Sequence, residues 1–239
     1  MITIIGTGHV FNLAEPVSFI VRNTWPDAVL VELDKGRYEA LMNDYNGVKP
    51  LGEQKTSAIY QSTSRYQQRM SEQSGARLGN EFLAAINTGR LFDAAIIPID
   101  TDAMRVMNEM WDEMSMGEKL RYRMSSFRDS FGGIKRVEKV HKDFTDSETD
   151  YVEDMRRRYP TLVRKLIDER NVYMAEQINA LSGTYHNMVV VVGDAHVEGI
   201  CALLQDDHIR KIRLSDMMDR EKMDKIRQMV WDGRESLEG

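Results

Sequence analysis

The segment Met188–Ile200, Met-Val-Val-Val-Val-Gly-Asp-Ala-His-Val-Glu-Gly-Ile, limits the possible folds more than any other. Val189–Val192 shows no alternation of apolar and polar residues, so it reads as a strand buried on both faces. Such strands occur where helices cover both sides of a parallel sheet. The N-terminal residues repeat the pattern, with Ile2-Thr3-Ile4-Ile5 leading into Gly6-Thr7-Gly8-His9. Two buried strands thus each run into Gly-x-x-His. In open α/β sheets ligands bind beyond the carboxyl ends of the strands, so His9 and His196 are expected to meet in one crevice.

The remaining pattern predicts an α/β chain. A mostly parallel central sheet carries helices on both faces, with a helical insertion over the strand C-terminal ends. Further strands are expected at Ala28–Leu33 and Ala94–Ile99, with an edge strand at Ile209–Leu214. Gly6 and Gly8 read as a tight turn where positive φ and close backbone approach come cheaply. Helices are expected from Glu15-Pro16 to Trp25, from the capping Asp34 to Tyr45, over Lys55–Met70, and over Gly79–Phe92 with Leu91 inward. Others follow over Pro160–Leu181, Val197–Gln205 and Asp216–Trp231. Residues 104–158 carry no strand signal. They read as a helical insertion and possible lid, jointed at Gly132-Gly133, within one domain spanning 1–239. Their methionines read as core filling.

Composition narrows the function classes. The net charge of −6 argues against nonspecific nucleic-acid binding. The single cysteine, Cys201, excludes an internal disulfide and any Cys-x-x-Cys cluster, and fits a reducing, cytoplasmic setting. No apolar run approaches the ~20 residues of a membrane span. Signatures of P-loop, serine-hydrolase and His-Glu-x-x-His enzymes are absent. Gly6-x-Gly8 followed by Glu32 imitates a dinucleotide fingerprint, but Phe11 replaces the third glycine.

The four best strands end in His9, Glu32, Asp100 and His196. A carboxylate in an apolar strand is costly unless paired or bound to a cation. Arg37 and Arg170, each on an apolar helical face, are available partners. Glu32 with Arg37 also reads as a structural ion pair, and Asp100 as a helix cap. Two imidazoles and one or two carboxylates suit Zn²⁺, Mn²⁺, Co²⁺ or Fe²⁺. A metal-bound water with its pKa lowered to about 7 would then act as nucleophile.

Several groups of residues resemble the TraB/PrgY family, related to the Tiki proteases. They are Gly6-Thr7-Gly8-His9-Val10, Val31-Glu32-Leu33-Asp34 with Arg37-Tyr38, Asp168-Glu169-Arg170 with Tyr173-Met174-Ala175, and Val191–His196 with Gly199-Ile200. The resemblance runs from the first strand to about Leu204. It implies a metal-dependent peptide-cleaving site with His9, Glu32 and His196 at the centre and Arg37, Glu169 and Arg170 around it. Asp100-Thr101-Asp102 departs from the family's usual Asp-Arg-Asp, and a charged helix stands where many members carry a membrane-embedded region.

The expectation is therefore a divalent-metal hydrolase, most plausibly a peptidase. Glu32 or Glu169 would ligate or act as base, and Arg37 or Arg170 would orient the substrate. The alternatives are a peptide-sequestering protein without cleavage and a nucleotide-binding regulator. Expected partners are a peptide and a second copy of the chain, since symmetric pairs are the commonest oligomers.

Overall fold

The computed structural model describes residues 1–8, 11–48, 79–131 and 148–235. His9 and the expected helix over Lys55–Met70 lie outside the described residues, as does the joint at Gly132-Gly133.

Five strands form one all-parallel sheet: β1 (Ile2–Thr7), β2 (Ala28–Val31), β3 (Ala95–Pro98), β4 (Met188–Gly193) and β5 (Ile209–Ile212), in the order β3-β2-β4-β1-β5. The expected parallel α/β architecture is thus observed. The order places β4 between β1 and β2, with Ile2 opposite Met188 and Ala28 opposite Met188 on the other side. The chain steps from β1 past β4 to β2, and later from β4 past β1 to β5. Such a reversal of direction is where open α/β sheets place their ligand sites.

The sheet divides its side chains by the two-residue period of a strand. Ile5, Val29, Val31, Val189 and Val191 enter one core. That core is shared with helices α1 (Ala14–Thr24), α3 (Asn80–Arg90), α10 (Leu214–Met218) and α11 (Arg220–Glu235). Ile4, Leu30, Val190 and Val192 enter the other, against α8 (Glu169–Leu181) and α9 (Val197–Cys201). Both faces of the central strands are therefore dry, which is why their sequences show no alternation. Helix α2 (Lys35–Tyr45) follows β2.

The insertion is helical in its described residues, comprising α4 (Ala103–Glu113), α5 (Met116–Phe131) and α6 (Glu148–Arg158). With α7 (Pro160–Val163) it builds a separate small core around Met107, Met110, Met114, Leu162 and Val163. Three methionines thus do fill a core, whereas Met116 and Met124 are exposed. Helix α6 touches the turn Asp194–His196 after β4, which sets this helical layer beside the strand ends.

Glu118 ties this layer to α7. Ser115 and Glu118 form the reciprocal bonds of a capping box, Ser115 N–H to Oε2 at 3.1 Å and Glu118 N–H to Ser115 Oγ at 3.2 Å. The same carboxylate accepts from Thr161 N–H at 2.9 Å and Thr161 Oγ1 at 3.0 Å. Burial works to raise the Glu118 pKa, but the Thr161 and Ser115 donors outweigh it and hold it below its ordinary 4.5. A carboxyl depressed in the folded state stabilises above its unfolded pKa, and that contribution is lost as pH falls through the folded value. Glu118→Gln should therefore cost about 2 kcal/mol at neutral pH. The gap to wild type in urea midpoint should close on acidification below about pH 4.5.

Several expectations need correction. Gly6 lies inside β1, opposite Val192, and among the described glycines positive φ occurs at Gly47 and Gly79. Its missing side chain serves close approach instead: a Cβ there would sit 1.9 Å from Asp194 Oδ1. Helix Pro160–Leu181 is not uniform but contains a π turn over Arg164–Asp168. Leu91 is 75% exposed, because it stands past the last turn of α3. The helix after β4 stops at Cys201 rather than Gln205, and the C-terminal helix is two helices, α10 and α11.

Candidate functional site

Beyond Val31 the chain leaves β2 with Glu32 continuing the Ala28–Leu30 alternation toward the α8 face, where it is 5% exposed. Its Oε2 accepts Gly193 N–H at 2.5 Å, linking the ends of β2 and β4. A Cβ on Gly193 would lie 3.3 Å from that same oxygen, a tight contact that a small shift would relieve.

Arg170, on the first turn of α8, lies across the strand ends. Nη2 donates to Glu32 Oε1 and, at 2.6 Å, to Asp100 Oδ2; Nε donates to Asp100 Oδ1 at 3.0 Å. Nη1 donates to the Leu166 carbonyl at 2.9 Å and faces His196 Nε2 at 3.2 Å. Burial opposes the Arg170 charge, yet Glu32 and Asp100 bind its proton more firmly than in a free arginine. The fork geometry of Arg with a carboxylate suits this buried position.

Arginine has no acceptor, so His196 Nε2 accepts that bond. Nδ1 of the imidazole then carries the proton and donates to Asn171 Oδ1 at 2.7 Å. Asn171 is 5% exposed and packs into space that a side chain on Gly199 would fill, since a Cβ there would meet Asn171 Nδ2 at 2.1 Å. The tautomer of His196 is thus set from behind by a buried amide, the arrangement that prepares an imidazole to offer Nε2 to a ligand.

At the mouth, Arg37 is bonded to Asp34 Oδ2 through Nε at 2.7 Å and to Asp100 Oδ2 through Nη2. Asp34 caps α2 by accepting Arg37 N–H at 2.9 Å. Burial works to raise the Asp34 pKa, but the Arg37 bonds and charge leave it lowered. Three carboxylates, Glu32, Asp34 and Asp100, therefore face two guanidiniums in one continuous network.

Of the residues singled out by sequence, Glu32, Arg37, Arg170 and His196 come together. Glu169 does not join them. It is half-exposed and pairs with Arg164 at 2.5 Å and Lys165 at 3.0 Å, in a cluster with Glu113. Asp100, read in sequence as a strand end or a helix cap, is a partner of both arginines, and Asp102 caps the next helix instead. Asn171 escaped notice, although an amide three residues before the buried Met174 and seven before Ile178 was a usable signal.

The donor set can be tested against a metal ion. Glu32 Oε1 and His196 Nε2 are 3.4 Å apart. Two ligands about 2.1 Å from a tetrahedral ion stand ~3.4 Å apart. The spacing is compatible with two ligands of one ion, and carboxylate and imidazole are donors that divalent metals accept. Among the described residues no group of three or more His, Cys, Asp or Glu could hold an ion, and Arg170 now occupies both atoms. The dinucleotide reading fares worse, because the space at Gly6 is filled by the Asp194 carboxylate, which would repel a phosphate.

A family model described as TraB/PrgY/gumN matches residues 1–214. The chain is 27% identical over 211 residues to an uncharacterized protein of Methanocaldococcus jannaschii, covering 85% of this chain and 53% of that one. The chain thus spans about half the length of this curated relative. No solved structure matches it. Among the described residues no helix is long and apolar enough to cross a membrane.

Proposed function

Given that the chain belongs to the TraB/PrgY/gumN family, we propose that it is a metal-dependent hydrolase acting on a peptide, with Glu32 and His196 as protein ligands. The observation that carries this reading is the facing pair Glu32 Oε1 and His196 Nε2, 3.4 Å apart on neighbouring strand ends. The Nδ1 bond to Asn171 supports it, by committing the other ring nitrogen. His9 is proposed as a third ligand from the doubled Gly-x-x-His alone. A divalent ion held there would supply Lewis acidity toward water and a substrate carbonyl. Such an ion and Arg170 would compete for the same lone pairs, and Asp100 would keep the guanidinium paired.

The residues around the pair have separable roles in this reading. Asn171 holds Nδ1 of His196 and so orients Nε2 toward Glu32. Gly193 N–H holds the second oxygen of Glu32, leaving Oε1 as the ligand. Arg37, half-exposed at the mouth, orients the substrate. A binding protein that holds a peptide without cutting it is the second reading, favoured by the engagement of both donor atoms by Arg170.

The test is elemental analysis of protein purified without chelator, with peptide cleavage measured for wild type, His196→Ala and Asn171→Ala. Metal should be retained by wild type, and His196→Ala should cleave at least ~100-fold more slowly. Asn171→Ala should weaken metal retention by roughly 10–100-fold. Equal cleavage by wild type and His196→Ala would reject the mechanism. Peptide bound but recovered intact would select the second reading.

A further inference from the structure

We infer that Arg37, and not Arg170, is the point at which substrate docks, and that what it takes is a carboxylate. The inference rests on the peptide-hydrolase reading and names its substrate class. It comes from counting donors. A guanidinium has five N–H groups. Arg170 uses all of them: Nε on Asp100, Nη2 on Asp100 and Glu32, and Nη1 on Leu166 O and His196. Its side chain is 14% exposed, and any ligand would have to break an existing bond to reach it.

Arg37 is half-committed. Nε holds Asp34 and Nη2 holds Asp100, while Nη1 has no partner among the described residues. The side chain is 30% exposed, twice the exposure of Arg170. The two acids fix the plane of the guanidinium and leave one edge directed away from them. This is a pre-oriented donor of the kind that takes a carboxylate oxygen. Asp100 binds both arginines, so the docking edge and the Glu32–His196 pair share one rigid support. The cluster alone is one unit negative, so a carboxylate is held there by the directed bonds of the Arg37 edge rather than by net charge.

The carboxylate can be a peptide's C-terminus or an Asp or Glu side chain, and the experiment separates these. Pools of short mixed-sequence peptides are prepared as free acids without Asp or Glu, as amides without Asp or Glu, and as amides containing them. Protein purified without chelator is equilibrated with each pool, and the retained peptide is quantified by mass spectrometry. A carboxylate-bearing pool should be retained roughly tenfold over the carboxylate-free pool. That preference should vanish in Arg37→Met and return in part in Arg37→Lys. Equal retention of all pools by wild type, retention of none, or a preference unchanged in Arg37→Met overturns the inference. The binding preference is read in His196→Ala as well, so failed docking is distinguished from failed catalysis: lost turnover with the preference intact leaves Arg37 in its role.

Discussion

Arg170→Met is expected to destabilise the protein by about 3–5 kcal/mol, the cost of leaving a buried charge without its counter-ion. Glu32 and Asp100 are 5% and 6% exposed, and of its two guanidiniums Asp100 would keep only Arg37, beside the Thr101 N–H. Methionine preserves most of the side-chain volume, so the loss reports charge rather than a cavity. The urea midpoint should fall without a change in m. The double variant Arg170→Met/Glu32→Gln should recover part of the loss, because the two residues are directly coupled. A midpoint near that of wild type in the single variant would mean that the network is worth little to the fold.

Gly6→Ala is the second large effect, at about 3 kcal/mol. The added Cβ would stand 1.9 Å from Asp194 Oδ1 and 2.9 Å from a Val197 methyl. Asp194 cannot step aside freely. Its carboxylate accepts from Arg213 Nε at 3.0 Å, Arg213 Nη2 at 2.9 Å and Leu214 N–H at 2.8 Å. Alanine must push apart β1 and the turn that follows β4, and that turn also carries His196. On the hydrolase reading proposed above, the fall in thermal midpoint should therefore come with weakened metal retention. Gly183→Ala, where an added Cβ meets nothing within 4 Å, is the control with little effect. An unchanged midpoint in Gly6→Ala would mean that the strand and turn are not locked together.

The second effect turns on a glycine whose role was only half legible in sequence. The segment Ile2–Gly8 indicated that something small was needed after a buried strand. Positive φ was the wrong reason at Gly6, because the residue stays in the ladder with Val192 and its missing Cβ admits a carboxylate from another strand's turn. Conformational freedom is a local property, whereas close approach involves two distant segments. Asn171 is the same case, since its place depends on the gap left at Gly199.

What the sequence alone determined is the class of the sheet and the place where its buried polar residues gather. A run such as Val189–Val192 leaves no solvent-facing side, so helices must cover both faces and the strands must be parallel. The strand ends must then carry whatever polar residues follow, here Glu32 and His196. What tertiary structure alone decided is which charges meet. Glu169 and Arg170 are adjacent in sequence, yet one faces Arg164 and Lys165 and the other spans Glu32, Asp100 and His196. One residue of helix turns a side chain by about 100°, and the π turn at Arg164–Asp168 inserts extra chain just before them. The period sets Arg170 on the apolar face and Glu169 beside it, but not which charges each meets; the packing of α8 against the sheet decides that.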